Sequence, residues 1–311
     1  MPHFTLKELV SYAEKQNIDQ NSTDALESFY FCCKMKNLSQ KTDVVYGERL
    51  FYLLRFCIDR NGQIERLTKA DLQDYIKNMI DKVSPATVNG RIAVFKVFYN
   101  HLLAEGMISV TPMGDIRKIR EPKTIKETLT PEDVAKVLST FNRRTFIGSR
   151  NFCLILLSFD SMLRVSELLS IKTDQLDLKS GLLKVLGKGR KERIIGFSPQ
   201  TARALFGYVG RYREKIRGEL LFCTRAGKEL EYGQTHRIFH NAGNKVGLHF
   251  YPHLSRASGA TQFVRSNGNI AILQKILGHS SLAVTERYIH MTDSDILAAY
   301  QSHAPAGGIK I

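Results

Sequence analysis

The feature that most constrains the fold is a change of hydrophobic period along the chain. Through the first 115 residues apolar side chains recur at three- and four-residue spacing. The runs are "LVSYAEKQ", "STDALESFYFCCKMK", "TDVVYGERLFYLLRFCID" and "TVNGRIAVFKVFYNHLLAEG", with basic residues between the apolar ones. That spacing gathers the apolar groups on one face of an α-helix. From Gln175 the period shortens. "QLDL", "LLKVLG" and "ERIIGF" are short β-rich runs separated by "KSG" and "KGRK", the pattern of a small antiparallel sheet. Helical spacing resumes with "SPQTARALFGYVGRYREKI" and continues toward the C-terminus. The expected fold is mainly α, with one small antiparallel β-sheet confined to the second half.

A chain of 311 residues favours two domains, because a single core rarely grows much past roughly 250 residues. The break falls at "PMGDIRKIREPKTIKETL", which is rich in charge, Pro and Gly and poor in large apolar residues. It reads as an exposed linker, either lying along a polyanion or simply solvated. The expected organisation is a helical domain over 1–115, a basic linker over 116–128, an α+β domain over 129–291, and a C-terminal helix and tail over 292–311. Helix starts are marked locally. Thr68 with Asp71 three residues on has a capping-box arrangement, and Thr130–Pro131 and Ser198–Pro199 pair an N-cap with a first-turn proline. "SRNFCLILLSFDSML" is apolar enough for a buried helix, and "VSELLSI" continues it after a short break.

Charge narrows the partners. Lys plus Arg number 45 against 30 Asp plus Glu, a net charge of +15. That excess attracts polyanions, with DNA or RNA the first candidate and a merely basic enzyme the alternative. "MPHFTLKELV" lacks the pattern of a signal peptide, and no apolar run approaches a spanning helix, so a cytoplasmic protein with no membrane contact is expected. The five cysteines show no zinc spacing, and most read as reduced core residues.

Common enzyme motifs are missing. "GKGRK" lacks the spacing of a phosphate loop and connects strand to strand. His236 and His240 stand four apart but have no evident third ligand, so neither a metal nor a cofactor is expected. What remains is a scattered set. Arg164 sits at the helix break, with Glu167 three residues on to orient it. Lys188 is expected at the tip of a β-turn, between Gly187 and Gly189. His253 and Arg256 share one helical face, and His279 and Tyr288 stand nine residues apart in "LGHSSLAVTERYIH". Taken singly, these are a surface arginine, a turn lysine, satisfied histidines and a core tyrosine.

Taken in this order, the segments "LRVSELLSI", "VLGKGRKERIIGF", "PHLSRASGAT" and "LGHSSLAVTERYIH" closely resemble the tyrosine recombinases, the phage-integrase and Xer-like family of site-specific DNA recombinases. The resemblance covers roughly residues 20–300. It implies a two-domain clamp, with a helical core-binding (SAM-like) domain and an α+β catalytic domain closing around a double-stranded DNA recombination site. By the same resemblance, Arg164 and Arg256 would grip the scissile phosphate and His253 would assist proton transfer. Lys188 would protonate the departing 5′ oxygen, His279 would contact a phosphate oxygen, and Tyr288 would be the nucleophile. Glu167 would support the scaffold.

Physical chemistry accommodates these roles. Guanidinium forks bind phosphate oxygens bidentately and stay charged, so two arginines can neutralise the transition state without a metal. A tyrosine, with a pKa near 10, needs a cationic site or a proton acceptor to attack. The phosphotyrosine intermediate would keep the bond energy of the phosphodiester, so rejoining needs no ATP. The pattern departs from the family at Ser255, where Leu is usual, and at Ala257, where His, Arg or Lys is frequent. Ser255 removes an apolar contact just before Arg256.

The resemblance further implies a homo-tetramer on two duplexes. Ile296, Leu297 and Tyr300 of the last helix would dock on a neighbouring protomer, or fold back in cis. A partner recombinase or DNA-bending protein and a nucleoid location in a prokaryote are open with it. A type IB topoisomerase-like relaxase and a non-catalytic DNA-binding accessory factor are the alternative functions.

Overall fold

In the computed structural model, residues 4–16, 18–60, 62–121, 128–186 and 192–278 are described. The chain divides into two compact units, Met1–Ile125 and Lys126–Ile311. No described helix is long and apolar enough to cross a membrane.

The described part of the first unit is helical: α1 (Leu6–Lys15), α2 (Gln20–Met35), α3 (Gln40–Ile58), α4 (Lys69–Ile80) and α5 (Pro85–Ala104), with a single 3-10 turn at Ile64–Arg66. The apolar spacing read from the sequence becomes a shared core of Leu9, Leu26, Phe29, Leu50, Leu53, Phe95 and Phe98. Each helix starts on a polar cap. At α4 the Thr68 hydroxyl accepts from the Asp71 backbone N–H, and the Asp71 carboxylate accepts from that of Thr68. Replacing such a cap by alanine typically costs about 1 kcal/mol. Tyr99 is fully buried and donates to the Ile64 carbonyl at 2.8 Å, which ties α5 to the 3-10 turn.

The second unit contains α6 (Pro131–Ser139), α7 (Phe146–Ser161), α8 (Val165–Leu169), β1 (Leu176–Asp177), β2 (Leu182–Leu186), β3 (Glu192–Gly196), α9 (Pro199–Arg211), α10 (Tyr232–Asn244), α11 (Pro252–Arg265) and α12 (Ile270–Leu277). The expected mainly α fold with a small antiparallel sheet is therefore present, in the order β1-β2-β3. Strand β2 pairs with β3 from Leu182↔Gly196 to Leu186↔Glu192. Its Leu183 and Val185 point into the core between exposed neighbours, the period-two pattern of a half-buried strand. "QLDL" supplies only two strand residues, for a local reason. The Asp177 carboxylate accepts from the backbone N–H groups of Lys179 and Ser180 at 3.0 and 3.1 Å, so the chain turns at once and Gly181 takes a φ of +68°.

Helix α7 lies at the centre, with α9 and α11 packed against it. All five cysteines are free, and burial pushes the thiols of Cys57 and Cys153 up to about 12. Ser255 is fully buried, and its hydroxyl accepts from that of Ser158 at 3.2 Å. Where an apolar contact was missing by comparison with the family pattern, a hydrogen bond instead joins α11 to α7.

Candidate active site

The site grows from the way α7 ends. Met162 takes a left-handed conformation, φ 54° and ψ 30°, which costs an L-residue roughly 1–2 kcal/mol. Two contacts hold it there. Its side chain is buried among Ala260, Leu273 and Leu277, and its carbonyl accepts from Arg256 Nη1 at 2.7 Å. The reversal places Arg164 at the N-cap of α8, at the break expected from the sequence.

Glu167, one turn into α8, reaches back to that cap. Its Oε2 accepts from the Arg164 backbone N–H at 2.9 Å, and its Oε1 from Arg164 Nη1 at 3.1 Å. The same two oxygens are gripped from the other side by Arg193 of β3, Nη1 to Oε1 at 3.0 Å and Nη2 to Oε2 at 2.9 Å. Arg256 Nη1 stands 3.9 Å from Oε2. Among the described residues, three guanidiniums thus surround one carboxylate, a local excess of two positive charges.

Exposure separates their tasks. The Arg164 side chain is 42% exposed, against 16% for Arg193 and 4% for Arg256. Arg164 is the guanidinium most open to a ligand. Burial pushes the Glu167 carboxyl up, but the hydrogen bonds from Arg193 and the Arg164 backbone, with the charges of both arginines, outweigh it. The net is a pKa below the ordinary carboxylate value.

The C-terminus of α12 closes the cluster. Arg256 Nη2 donates to the Leu277 carbonyl at 2.9 Å, and Arg193 Nε to that of Ile276 at 3.1 Å. Carbonyls at a helix end have no partner within the helix and carry the negative end of its dipole, so two cations are well placed there. Gly278 ends the helix in the left-handed region at φ 62°. A Cβ at this position would lie 3.5 Å from Arg193 Cζ.

Of the residues singled out from the sequence, Arg164, Glu167 and Arg256 are brought together. His253 lies exposed on the first turn of α11, three residues before Arg256. Lys188, His279 and Tyr288, with Ile296, Leu297 and Tyr300, lie outside the described residues. Arg193 was not anticipated. Its signal was its position on the strand face shared with Ile195 and Phe197, both buried. An arginine on an inward face requires a partner.

Comparison with known proteins agrees with this architecture. The phage integrase family model matches residues 127–295, and the N-terminal SAM-like domain of phage integrases matches residues 25–108. Tyrosine recombinase XerC of Lactobacillus leichmannii is 27% identical over 281 residues, covering 87% of this chain and 95% of that protein. Tyrosine recombinase XerD of Lacticaseibacillus casei is 28% identical over 282 residues, covering 88% and 95%. Among solved structures, XerH site-specific recombinase bound to a palindromic difH substrate, a post-cleavage complex, superposes with a TM-score of 0.74. It is 19% identical and covers 96% of this chain and 95% of that one. The Tn1549 transposon integrase in complex with a circular intermediate DNA gives 0.72 at 19% identity, over 89% and 99%. At such identity these structures speak to the fold, whereas the family model spans over half of the 311 residues, and the chain belongs to the phage integrase family.

Proposed function

We propose that the protein is a site-specific DNA recombinase that cuts and rejoins strands through a 3′-phosphotyrosine intermediate. The observation that carries this reading is the cluster of Arg164, Glu167 and Arg256 in a chain of this family. The relatives it matches over most of its length are tyrosine recombinases. Solved neighbours of the same fold are complexes with DNA. A net charge of +15 suits a partner that is itself a polyanion.

In the reaction, Tyr288 Oη attacks the phosphorus of one phosphodiester and the bond to the 5′ oxygen breaks. Lys188 gives that oxygen its proton, and His253 helps take the proton from the tyrosine. Arg164 and Arg256, with His279, hold the non-bridging oxygens as negative charge builds in the pentavalent state. A 5′-hydroxyl from the second duplex then attacks the phosphotyrosine, and the tyrosine leaves with a proton. Phosphodiester bonds are conserved, so no ATP is consumed. The arginines neutralise the transition state, so the chemistry does not call for a metal. Four protomers on two duplexes would perform the exchange, with residues 292–311 reaching a neighbour.

The test is strand exchange between two labelled duplexes carrying the chain's recombination site. Recombinant product is expected. Relaxation of supercoiled DNA without exchange would instead mean topoisomerase-like chemistry, and binding alone an accessory factor.

A further inference from the structure

Arg193 stands on β3, five residues beyond Lys188, and its side chain is bound on three sides to elements of the site. Two of its nitrogens hold both oxygens of Glu167. The third holds the Ile276 carbonyl at the end of α12, and a Cβ added at Gly278 would lie 3.5 Å from its Cζ. Only arginine can do this, because its planar fork matches a carboxylate with two parallel donors while Nε remains for a third acceptor. All three of its nitrogens are taken by protein acceptors, so Arg193 is committed to the scaffold, whereas Arg164, at 42%, is the most exposed of the three described guanidiniums around Glu167.

The consequence lies in the charge around Glu167. Arg193 satisfies one side of that carboxylate. Without it, Arg164 and Arg256 are the cations remaining within 4 Å of the oxygens among the described residues. Both would be drawn toward the carboxylate and away from a phosphate. The end of α12 would keep one arginine clamp instead of two, and that one, Arg256, is itself a phosphate ligand in the mechanism.

We infer that Arg193 is a positioning residue for strand cleavage. It holds Glu167 and the end of α12 so that Arg164 and Arg256 present their guanidiniums to the scissile phosphate. The inference rests on the recombinase reading above.

The experiment uses the full-length protein and a nicked duplex bearing its recombination site, at a temperature where the variants are folded by circular dichroism. DNA affinity and the single-turnover rate of covalent adduct formation are measured separately. For Arg193→Ala, affinity is expected to stay within about threefold while the adduct rate falls roughly 100-fold, the scale of a small misplacement of catalytic groups. Arg193→Lys restores the charge but not the fork and is expected to fall between. Millimolar guanidinium is expected to raise the Arg193→Ala rate at least about fivefold and to leave the wild type unchanged, since it refills the site between Glu167 and Ile276. An Arg193→Ala rate within about threefold of wild type would overturn the inference. So would a parallel loss of affinity and rate that guanidinium does not rescue. A folded wild type that forms no adduct is a different result, which removes the recombinase reading and the inference with it.

Discussion

Glu167→Gln probes the cluster most directly, because it removes one charge and almost no volume. In the wild type the buried carboxylate holds Arg193 through two bonds and the Arg164 backbone through a third. Breaking a buried ion pair by removing one partner costs roughly 3–5 kcal/mol. Glutamine keeps an acceptor oxygen, which places the loss near the lower end. The Arg164 side-chain pair adds little, since that guanidinium is well exposed and its pairing is screened. The expected cost is about 3 kcal/mol, roughly 6–12 °C in Tm for a unit of this size.

The pH dependence of that loss has a definite sign. The folded-state pKa of Glu167 lies below its ordinary value. The carboxylate's stabilisation is therefore fully present above the unfolded pKa of about 4.3 and disappears as pH falls through the lower folded value. Calorimetry of the full chain at pH 7 and then at successively lower pH reads both effects. The difference between the two proteins is expected to be largest at neutral pH and to shrink as the medium is acidified below the unfolded-state pKa. A loss under about 1 kcal/mol at pH 7, or a difference that persists unchanged in acid, would refute the reasoning.

Two further outcomes follow from the packing and the charge. Gly259→Ala would put a Cβ 2.1 Å from the Phe159 carbonyl oxygen and 3.0 Å from Met162 Cγ. It is expected to cost about 1–3 kcal/mol and to slow adduct formation by shifting α11, and with it Arg256, from the Met162 carbonyl; an unchanged Tm would count against this packing. DNA affinity, followed by fluorescence anisotropy, is expected to fall about 10³- to 10⁵-fold between roughly 50 and 200 mM salt if six to ten phosphates are contacted. A drop of under about tenfold would argue against a phosphate-dominated interface.

What could be read from the sequence was what is local. The Thr68–Asp71 capping box and the Thr130 N-cap before Pro131 are short-range and form as spaced. The break before α8, with Arg164 at it and Glu167 three residues on, is of the same kind. The strands β2 and β3 followed from their β-rich runs. The "QLDL" run did not extend as far as its composition suggested, because the side chain of Asp177 captures the following turn. Long-range partners were hidden. Arg193 meets Glu167 across 26 residues of sequence. Its inward face was masked because Ile194 beside it is also apolar yet is exposed. The exchange of an apolar contact at Ser255 for a hydrogen bond from Ser158 was equally unreadable, since it depends on how α7 packs against α11.

The arginine cluster is proposed to serve attack by one hydroxyl, that of Tyr288. The direct measurement is to trap the covalent complex on a nicked duplex, digest it, and identify the residue that carries the 3′-phosphate. Tyr288 is expected to carry it, and Tyr288→Phe is expected to bind DNA but yield no adduct. An adduct on any other residue, or one that survives in Tyr288→Phe, would contradict that proposal.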